Sequence, residues 1–510
     1  MISRVLAVGR EMIMSSYFGA GYYTDAFNIA FRIPNLLRDL FAEGALSSAF
    51  LPTLIRYRTN NSQEAAWLLA NRVINALLIV LAATTLLFYF GAGWFVYLFA
   101  GNLAASPGKF ELAVQMTRIM SPFLLFVALA AAFMGLLNAG GRFFMPAMAP
   151  SAFNICSILA GIFLSPLMKN FGLAPVVSMA IGALAGGASQ FLIQVPTAHR
   201  MGFRYRPVVD FKDPGVRQVA GLMLPAIIGL SATQINIAVD THLASRFGDG
   251  PVSYLNYAFR VMQLPIGLFG VAIATSTLAA VSVHAAQNQL QKLSDTVSGS
   301  LRLAACLTFP ATVGLILFRN EIIELLYQRG RFLPDDTGNT SAVLLWYAMA
   351  LFAYSAVKIL VPAFYALNDT RTPVRLSMLT VAVKIAANFA LIYQLGFLGL
   401  ALATAVASWF NFILLVRGFV QRTGIPWRPG ELWVYARILA ASMLMGGAAL
   451  GAHAAGMQWL PAGGTLMRAL QLGIPIVAGM AVILPLLRLF GVEEERELSG
   501  IVIHLARKLR

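Results

Sequence analysis

Apolar runs long enough to cross a bilayer recur from end to end of this 510-residue chain. A spanning helix takes about 20 apolar residues. Segments of that size, bounded by glycine, proline or charge, fall at 1–18, 25–55, 67–100, 112–139, 146–168, 173–198 and 216–245. They continue at 251–284, 297–318, 340–367, 373–394, 397–420, 432–455 and 466–490. In lipid, backbone N–H and C=O groups must be satisfied within the protein, so runs this long are helices. The expectation is an all-α polytopic membrane protein of about fourteen transmembrane helices. Composition agrees: 59% of residues are hydrophobic and 11% charged, against about 25% charged in soluble domains. A mean hydropathy of +0.74 excludes an ordinary soluble enzyme with one anchoring helix.

The net charge of +16 has the same origin. With an inward N-terminus, the inward connections hold about 20 Lys and Arg, including Arg56, Arg58, Arg142, Arg200, Arg204, Arg206, Lys212, Arg371, Arg422 and Arg507. The opposite loops hold about 7, chiefly Arg319, Arg329 and Arg331. This bias follows the positive-inside rule with both termini cytoplasmic, and no basic run is dense enough for nucleic acid. Cys156 and Cys306 lie in apolar stretches, and the five histidines show no metal-ligand spacing, so no metal site is expected. The stretch 492–510 alternates acidic, apolar and basic residues and reads as a cytoplasmic amphipathic helix on the membrane surface. The first segment carries Arg4, Arg10 and Glu11 within about 18 residues, too short and polar for a comfortable span. Two readings stand, a truncated start and a helix lining a wet cavity.

Two halves of the chain resemble each other. "SYFGAG" at Ser16–Gly21 recurs as "SRFGDG" at Ser245–Gly250, and "AFR" at Ala30–Arg32 recurs at Ala258–Arg260, each followed by a proline, Pro34 or Pro265. "LNAGGRFFMP" at Leu137–Pro146 has an echo in "LNDTRTP" at Leu367–Pro373, and "ALAGGASQF" at Ala183–Phe191 matches "ALATAVASWF" at Ala401–Phe410. An even number of helices per repeat gives both halves the same orientation, the parallel-repeat plan of transporters that rock two bundles about a site. The expected organisation is an N-lobe at 1–200 with six helices, a C-lobe at 201–425 with six, a terminal pair at 426–491 and the tail at 492–510.

An ionisable side chain inside a span costs at least about 2.5–3.5 kcal/mol, so each needs a partner or a wet cavity. The first two segments hold Arg10, Glu11, Asp25, Arg32, Arg38, Asp39 and Glu43. Asp240 and Arg260 lie in the seventh and eighth, and Lys384 and Asn388 in the eleventh. Guanidinium forks bind phosphate oxygens bidentately and stay charged when partly desolvated, so Arg10, Arg38 and Arg260 point to an anionic substrate. The competing reading has the arginines pairing with Glu11, Asp25 and Asp39 to lock helices together. For Asp240 and Lys384 one reading puts the ammonium where a coupling cation would sit, with Asn388 one turn on; the other makes them two unrelated residues near helix ends. No catalytic triad spacing and no P-loop is present, so the chain reads as a non-enzyme without cofactor, driven by membrane potential, a monovalent cation or substrate flux.

"SRVLAVGRE" at Ser3–Glu11, "FGAGYYTDAFNIAFRIPNLLRDLFAEGALSSAFLP" at Phe18–Pro52 and "YAFRVMQLPIGLFGVAIAT" at Tyr257–Thr275 resemble the MurJ (MviN) lipid II flippases, of the multidrug/oligosaccharidyl-lipid/polysaccharide exporter superfamily. The resemblance extends over nearly the whole chain. It implies two six-helix lobes, a cationic central cavity, and a groove between the last two helices for the lipid tail. It also implies lipid II, the undecaprenyl-diphosphate-linked peptidoglycan precursor, as the substrate of a monomeric inner-membrane carrier surrounded by membrane lipids. By position, Arg10, Arg38 and Arg260 match the family's cavity arginines. Arg4, Asp25 and Glu43 match charged motif positions with gating or structural roles, and Glu11, Arg32 and Asp39 lie among them. This sequence departs from the family in having Glu11 where aspartate is usual and Phe259 where an acid often precedes the arginine, and the resemblance implies about 14 residues ahead of "SRVL" that this sequence does not show. The alternative is an exporter of another lipid-linked oligosaccharide, or of drugs, on the same fold.

Overall fold

A computed structural model describes residues 2–39, 46–426, 430–459 and 463–500, and helix is the only regular structure among them. Glu43 and most of the expected surface helix at the C-terminus lie outside the described residues. The chain forms two compact units. The first comprises Met1–Ser253 with the short segment Arg329–Leu333, and the second Tyr254–Gln328 with Pro334–Arg510.

The first unit holds α1 (Ile2–Phe18), α2 (Tyr22–Arg38), α3 (Leu46–Asn60), α4 (Gln63–Phe90), α5 (Ala92–Ala100), α6 (Lys109–Met120), α7 (Phe123–Ala139), α8 (Phe144–Leu159), α9 (Ser165–Met168), α10 (Val177–Leu192), α11 (Val195–Arg200) and α12 (Pro214–Ala244). At its border begins α13 (Pro251–Pro265). The second unit continues with α14 (Val271–Ala286), α15 (Leu290–Leu317), α16 (Arg319–Tyr327), α17 (Pro334–Ala348), α18 (Leu351–Ala366), α19 (Arg371–Leu395), α20 (Leu398–Thr423), α21 (Glu431–Trp459) and α22 (Thr465–Leu489).

Among the described residues each expected apolar segment coincides with helix, but several are broken. Among the described residues ten helices are long and apolar enough to cross a membrane, and an eleventh is counted if α17 and α18, which meet at 43°, form one bent span. The segments at 1–18, 25–55 and 216–245 fall outside that set. For the first two the reason is their load of charge and their length: α1 and α2 have 17 residues each and α3 has 15. Pro265 ends α13 in a π-helical turn at Ile266–Gly270, where the freed carbonyls widen the helix before α14.

Starts and stops follow local chemistry. Ser62 caps α4 by accepting the Ala65 N–H at 3.1 Å. Asp213 caps α12 through the N–H groups of Gly215 and Val216, with Pro214 at the first helical position. Small residues let helices approach: a Cβ on Gly186 would lie 2.6 Å from the Phe153 ring of α8, and one on Gly187 would lie 2.6 Å from the Phe123 ring of α7. In the second unit a buried cluster from α14, α15, α18 and α20 extends to Ile438 and Ala441 of α21 and Leu487 of α22.

The internal repeat has a backbone counterpart. Left-handed turns occur at Gly19, Gly108, Gly141, Gly172 and Gly202, and again in the same order at Gly248, Gly330, Asn368, Gly396 and Gly424. The pairs are separated by 229, 222, 227, 224 and 222 positions. The third pair shifts the register expected from "LNAGGRFFMP" and "LNDTRTP". Arg142 N–H donates to the Leu137 carbonyl and Asp369 N–H to the Phe364 carbonyl, so Gly141 corresponds to Asn368. Asparagine tolerates the left-handed conformation that glycine adopts freely, which preserves the turn while hiding the match.

Candidate functional site

Asp25, in the first turn of α2, is 1% exposed and fully engaged. It accepts from Lys109 Nζ at 3.1 Å, from the Gly250 N–H at 2.7 Å, from the Ser253 N–H at 2.9 Å and from the Ser253 hydroxyl at 2.5 Å. Lys109, at the start of α6 and also 1% exposed, donates to Asp249 at 2.5 Å as well. The two backbone donors lie at the N-terminal end of α13, where unpaired N–H groups and the helix dipole favour an anion. Asp25 thereby joins α2 and α6 to the head of α13.

Arg10 and Glu11 pair at 2.8 Å on α1, and the Arg10 guanidinium lies 5.2 Å from the centre of the Phe153 ring. Phe153 belongs to an aromatic group with Phe31 of α2 and Phe123 of α7. At the far end of α2, Arg38 holds Asp39 through Nε at 3.2 Å and an Nη at 2.8 Å, and Gln234 of α12 donates to the other Asp39 oxygen at 3.2 Å. Arg32 sits between these sites on α2, part-buried, and Arg4 is exposed on α1. Each of Arg10 and Arg38 is therefore held by the carboxylate next to it in sequence, a pairing within one segment that joins no two helices. The charge of each stays on a part-buried helix face.

Arg260 lies on α13 within the second unit, part-buried, one residue after Phe259, whose ring packs edge-on against Tyr347 and Tyr354. Lys384 and Asn388 are buried one turn apart on α19, 8% and 0% exposed. Asp240 lies on α12 in the first unit. Among the described residues no group of His, Cys, Asp and Glu is arranged to hold a metal ion.

The sequence profile of the family described as "Lipid II flippase MurJ" matches residues 14–469. The chain belongs to the MurJ family. A probable lipid II flippase MurJ of Vibrio cholerae is 36% identical over 501 residues, which cover 96% of this chain and 94% of that protein. The lipid II flippase MurJ of Burkholderia cenocepacia is 34% identical over 451 residues, covering 88% and 87%. A solved lipid II flippase MurJ in an inward closed conformation matches with a TM-score of 0.79 at 27% identity, over 95% of this chain and 97% of that one. An inward-facing MATE multidrug transporter matches with a TM-score of 0.68 at 15% identity, over 86% and 94%, which shows the shared fold alone. As a MurJ family member with at least ten apolar spans, the chain is a multi-pass membrane protein.

Three charge sites in this MurJ relative have partners that the sequence left unnamed. Lys109 follows Gly108 at the edge of an apolar run and looks like a loop residue until Asp25 and Asp249 are brought to it. Arg72 of α4 pairs with Asp213 and, at 3.8 Å, with Asp210. Asn71, the residue before it, and Asn75, three residues on, grip the backbone of the loop leading into α12 at Arg204, Arg206 and Val208. Arg302 of α15 holds Glu431 at 2.7 Å and Glu494 at 2.5 Å, tying both ends of the terminal helix pair to α15. The available signal was an isolated charge flanked by apolar residues, with a partner too distant in sequence to name.

Proposed function

We propose that this chain moves lipid II from the inner to the outer leaflet of the bacterial cytoplasmic membrane by alternating access, for cell-wall synthesis. The observation that carries this reading is the family match, sustained at 36% identity over 501 residues, which spans both repeats and the terminal pair. Fourteen crossings in two six-helix lobes plus a terminal pair, with both termini cytoplasmic, complete the proposal. The ordered recurrence of left-handed turns supports the two repeats. The positive-inside bias supports the orientation.

In this mechanism Arg10, Arg38 and Arg260 receive the diphosphate and sugar of the headgroup while the polyprenyl chain stays in the bilayer along α21 and α22. Arg10 and Arg38 are preset for such an exchange. Each is held part-buried beside one carboxylate, and a diphosphate competes for the same guanidinium fork with more charge and more oxygens. The diphosphate would thereby replace an internal pair instead of stripping water from a bare cation. Coupling is proposed to run through membrane potential or a monovalent cation at Asp240, Lys384 and Asn388, with the Lys384 ammonium standing in for the cation. Sodium-independent transport in vesicles is expected, and sodium stimulation abolished by Lys384→Ala would remove that assignment.

The test is complementation of a bacterium depleted of its own lipid II flippase. The chain should restore growth, and Arg260→Ala should fail to do so at normal membrane levels. Full growth with Arg260→Ala would remove that arginine from the substrate site. Failure of the unaltered chain, present in the membrane, would move the substrate to another lipid-linked glycan.

A further inference from the structure

The turn between α1 and α2 is gripped from two directions by the same three-residue pattern. Gly108-Lys109-Phe110 and Gly330-Arg331-Phe332 occupy corresponding places in the two repeats, and both glycines are left-handed, with φ of 75° and 60°. Both patterns pack within the first unit, because Arg329–Leu333 belongs to it. The Lys109 ammonium lies 5.8 Å from the centre of the Tyr22 ring, and the Arg331 guanidinium 5.9 Å from that of Tyr23. The Arg331 N–H donates to the Ser16 carbonyl at 2.9 Å. Contact there is backbone on backbone. A Cβ on Gly19 would lie 2.6 Å from the Arg331 carbonyl oxygen, and one on Gly330 would collide with the Ser16 carbonyl.

The two arms differ in what they use. The Arg331 side chain is exposed, so its charge contributes little and the glycine backbone makes the seal. Lys109 is buried against two carboxylates, and a buried ammonium is tolerated only while its partners stay in place. Drawing the head of α13 away from α2 would take Asp249 from Lys109, and would take the Gly250 and Ser253 donors from Asp25. The bonds around Lys109 are therefore made together or lost together.

We propose that Lys109 is a positioning residue for the transport step. It acts as the charged arm of a clasp that keeps the face bearing the α1–α2 turn closed, and the Gly330-Arg331 backbone is the second arm. This inference rests on the alternating-access reading, with that face outward, but its test needs no substrate. A single cysteine at Asn28, one turn along α2 from Asp25 and in loose contact with Ser253 at 3.5 Å, reports opening in a full-length chain carrying Cys156→Ser and Cys306→Ser. Intact cells are treated with a membrane-impermeant maleimide.

Labelling should be low in this background and rise about tenfold with Lys109→Met, the shift expected when a charge-assisted hydrogen bond is removed from one state of a two-state equilibrium. Gly330→Ala should raise it too, by a clash that removes no charge, and Lys109→Arg should return it towards background. Background labelling in both Lys109→Met and Gly330→Ala, at normal membrane levels, overturns the clasp. If Lys109→Met does not accumulate, Asp249→Asn replaces it, since that side chain is 45% exposed and its loss leaves Lys109 and Asp25 paired. Unchanged labelling in Asp249→Asn and Gly330→Ala then overturns the clasp equally. Raised labelling in Lys109→Met, where the Lys109-bearing background itself fails to complement, would retain the clasp and reject the lipid II reading, whereas normal complementation by that background with flat labelling in the variants would do the reverse.

Discussion

Two buried clusters in this protein have the same formal inventory, one cation and two carboxylates, and opposite wiring. In the first unit Lys109 faces Asp25 and Asp249; in the second Arg302 faces Glu431 and Glu494. The excess negative charge at Asp25 is spread over backbone N–H groups and a hydroxyl at the head of α13, while Asp249 reaches water. Glu431 and Glu494 are 4% and 7% exposed, and each has one buried oxygen, Oε2, without a hydrogen-bond partner among the described residues. Ser298 adds one donor at 2.6 Å, on the Glu431 oxygen that Arg302 already holds. The number of charges therefore does not decide how strongly a buried cluster depends on its cation. What decides it is whether the acids have other donors.

The comparison predicts an asymmetry in stability. Arg302→Met leaves two buried carboxylates with one hydroxyl between them, and stranding a buried charge costs about 3–5 kcal/mol. Lys109→Met leaves Asp25 with its remaining donors and Asp249 with solvent, so its cost should be well below that. Thermal unfolding of the purified full-length protein in detergent measures both. Equal losses, or a larger one for Lys109→Met, would show that the donors at the head of α13 do not hold the Asp25 charge.

Neutralising one acid in each cluster reverses the signs. Glu494→Gln keeps the bond to Arg302 and removes a charge that has no second partner, so it should be neutral or stabilising by up to about 1 kcal/mol. Asp25→Asn puts an amide, itself a donor, where every neighbour donates, and should destabilise by about 1–3 kcal/mol through unsatisfied buried groups. The same unfolding assay orders them, and destabilisation by Glu494→Gln would refute the unsatisfied-acid reading of the second cluster.

Much of the fold was legible because lipid enforces one rule, that apolar runs become helices. Two of the departures occur where charge accumulates: α1 and α2 carry Arg4, Arg10, Glu11, Asp25, Arg32 and Arg38, and both fall outside the set of apolar spans. The site was legible by residue type but not by partner. Arg10 and Arg38 are part-buried charges held by their adjacent acids, a geometry that sequence proximity alone left open. Lys109 and Asp249 stayed invisible because each lies at the border of an apolar run, 140 positions apart. Arg302 and its acids lie 129 and 192 positions apart, and only the packing of the terminal helix pair within the second unit brings them together.

The smallest expected effect concerns a turn that differs between the repeats. At Gly141 the first repeat makes its turn by backbone alone, whereas after Asn368 the second adds Asp369, which accepts from the Thr372 N–H at 3.0 Å and the Thr372 hydroxyl at 2.7 Å. These bonds, with a smaller contribution from Arg422 at 3.9 Å, hold the Asp369 carboxyl below its ordinary range. A carboxyl depressed in the folded state adds stability above its unfolded pKa of about 3.9, and loses it as pH falls through the lower folded value. Asp369→Asn should therefore lower the unfolding temperature slightly at neutral pH, by an amount that stays constant down to about pH 5 and shrinks only in stronger acid. Satisfying one first-turn N–H of α19 has the usual worth of a helix cap, about 1 kcal/mol, and solvent screening at this exposed loop leaves less. A deficit that instead faded between pH 8 and 6 would mean that some other group, titrating near neutrality, holds the turn.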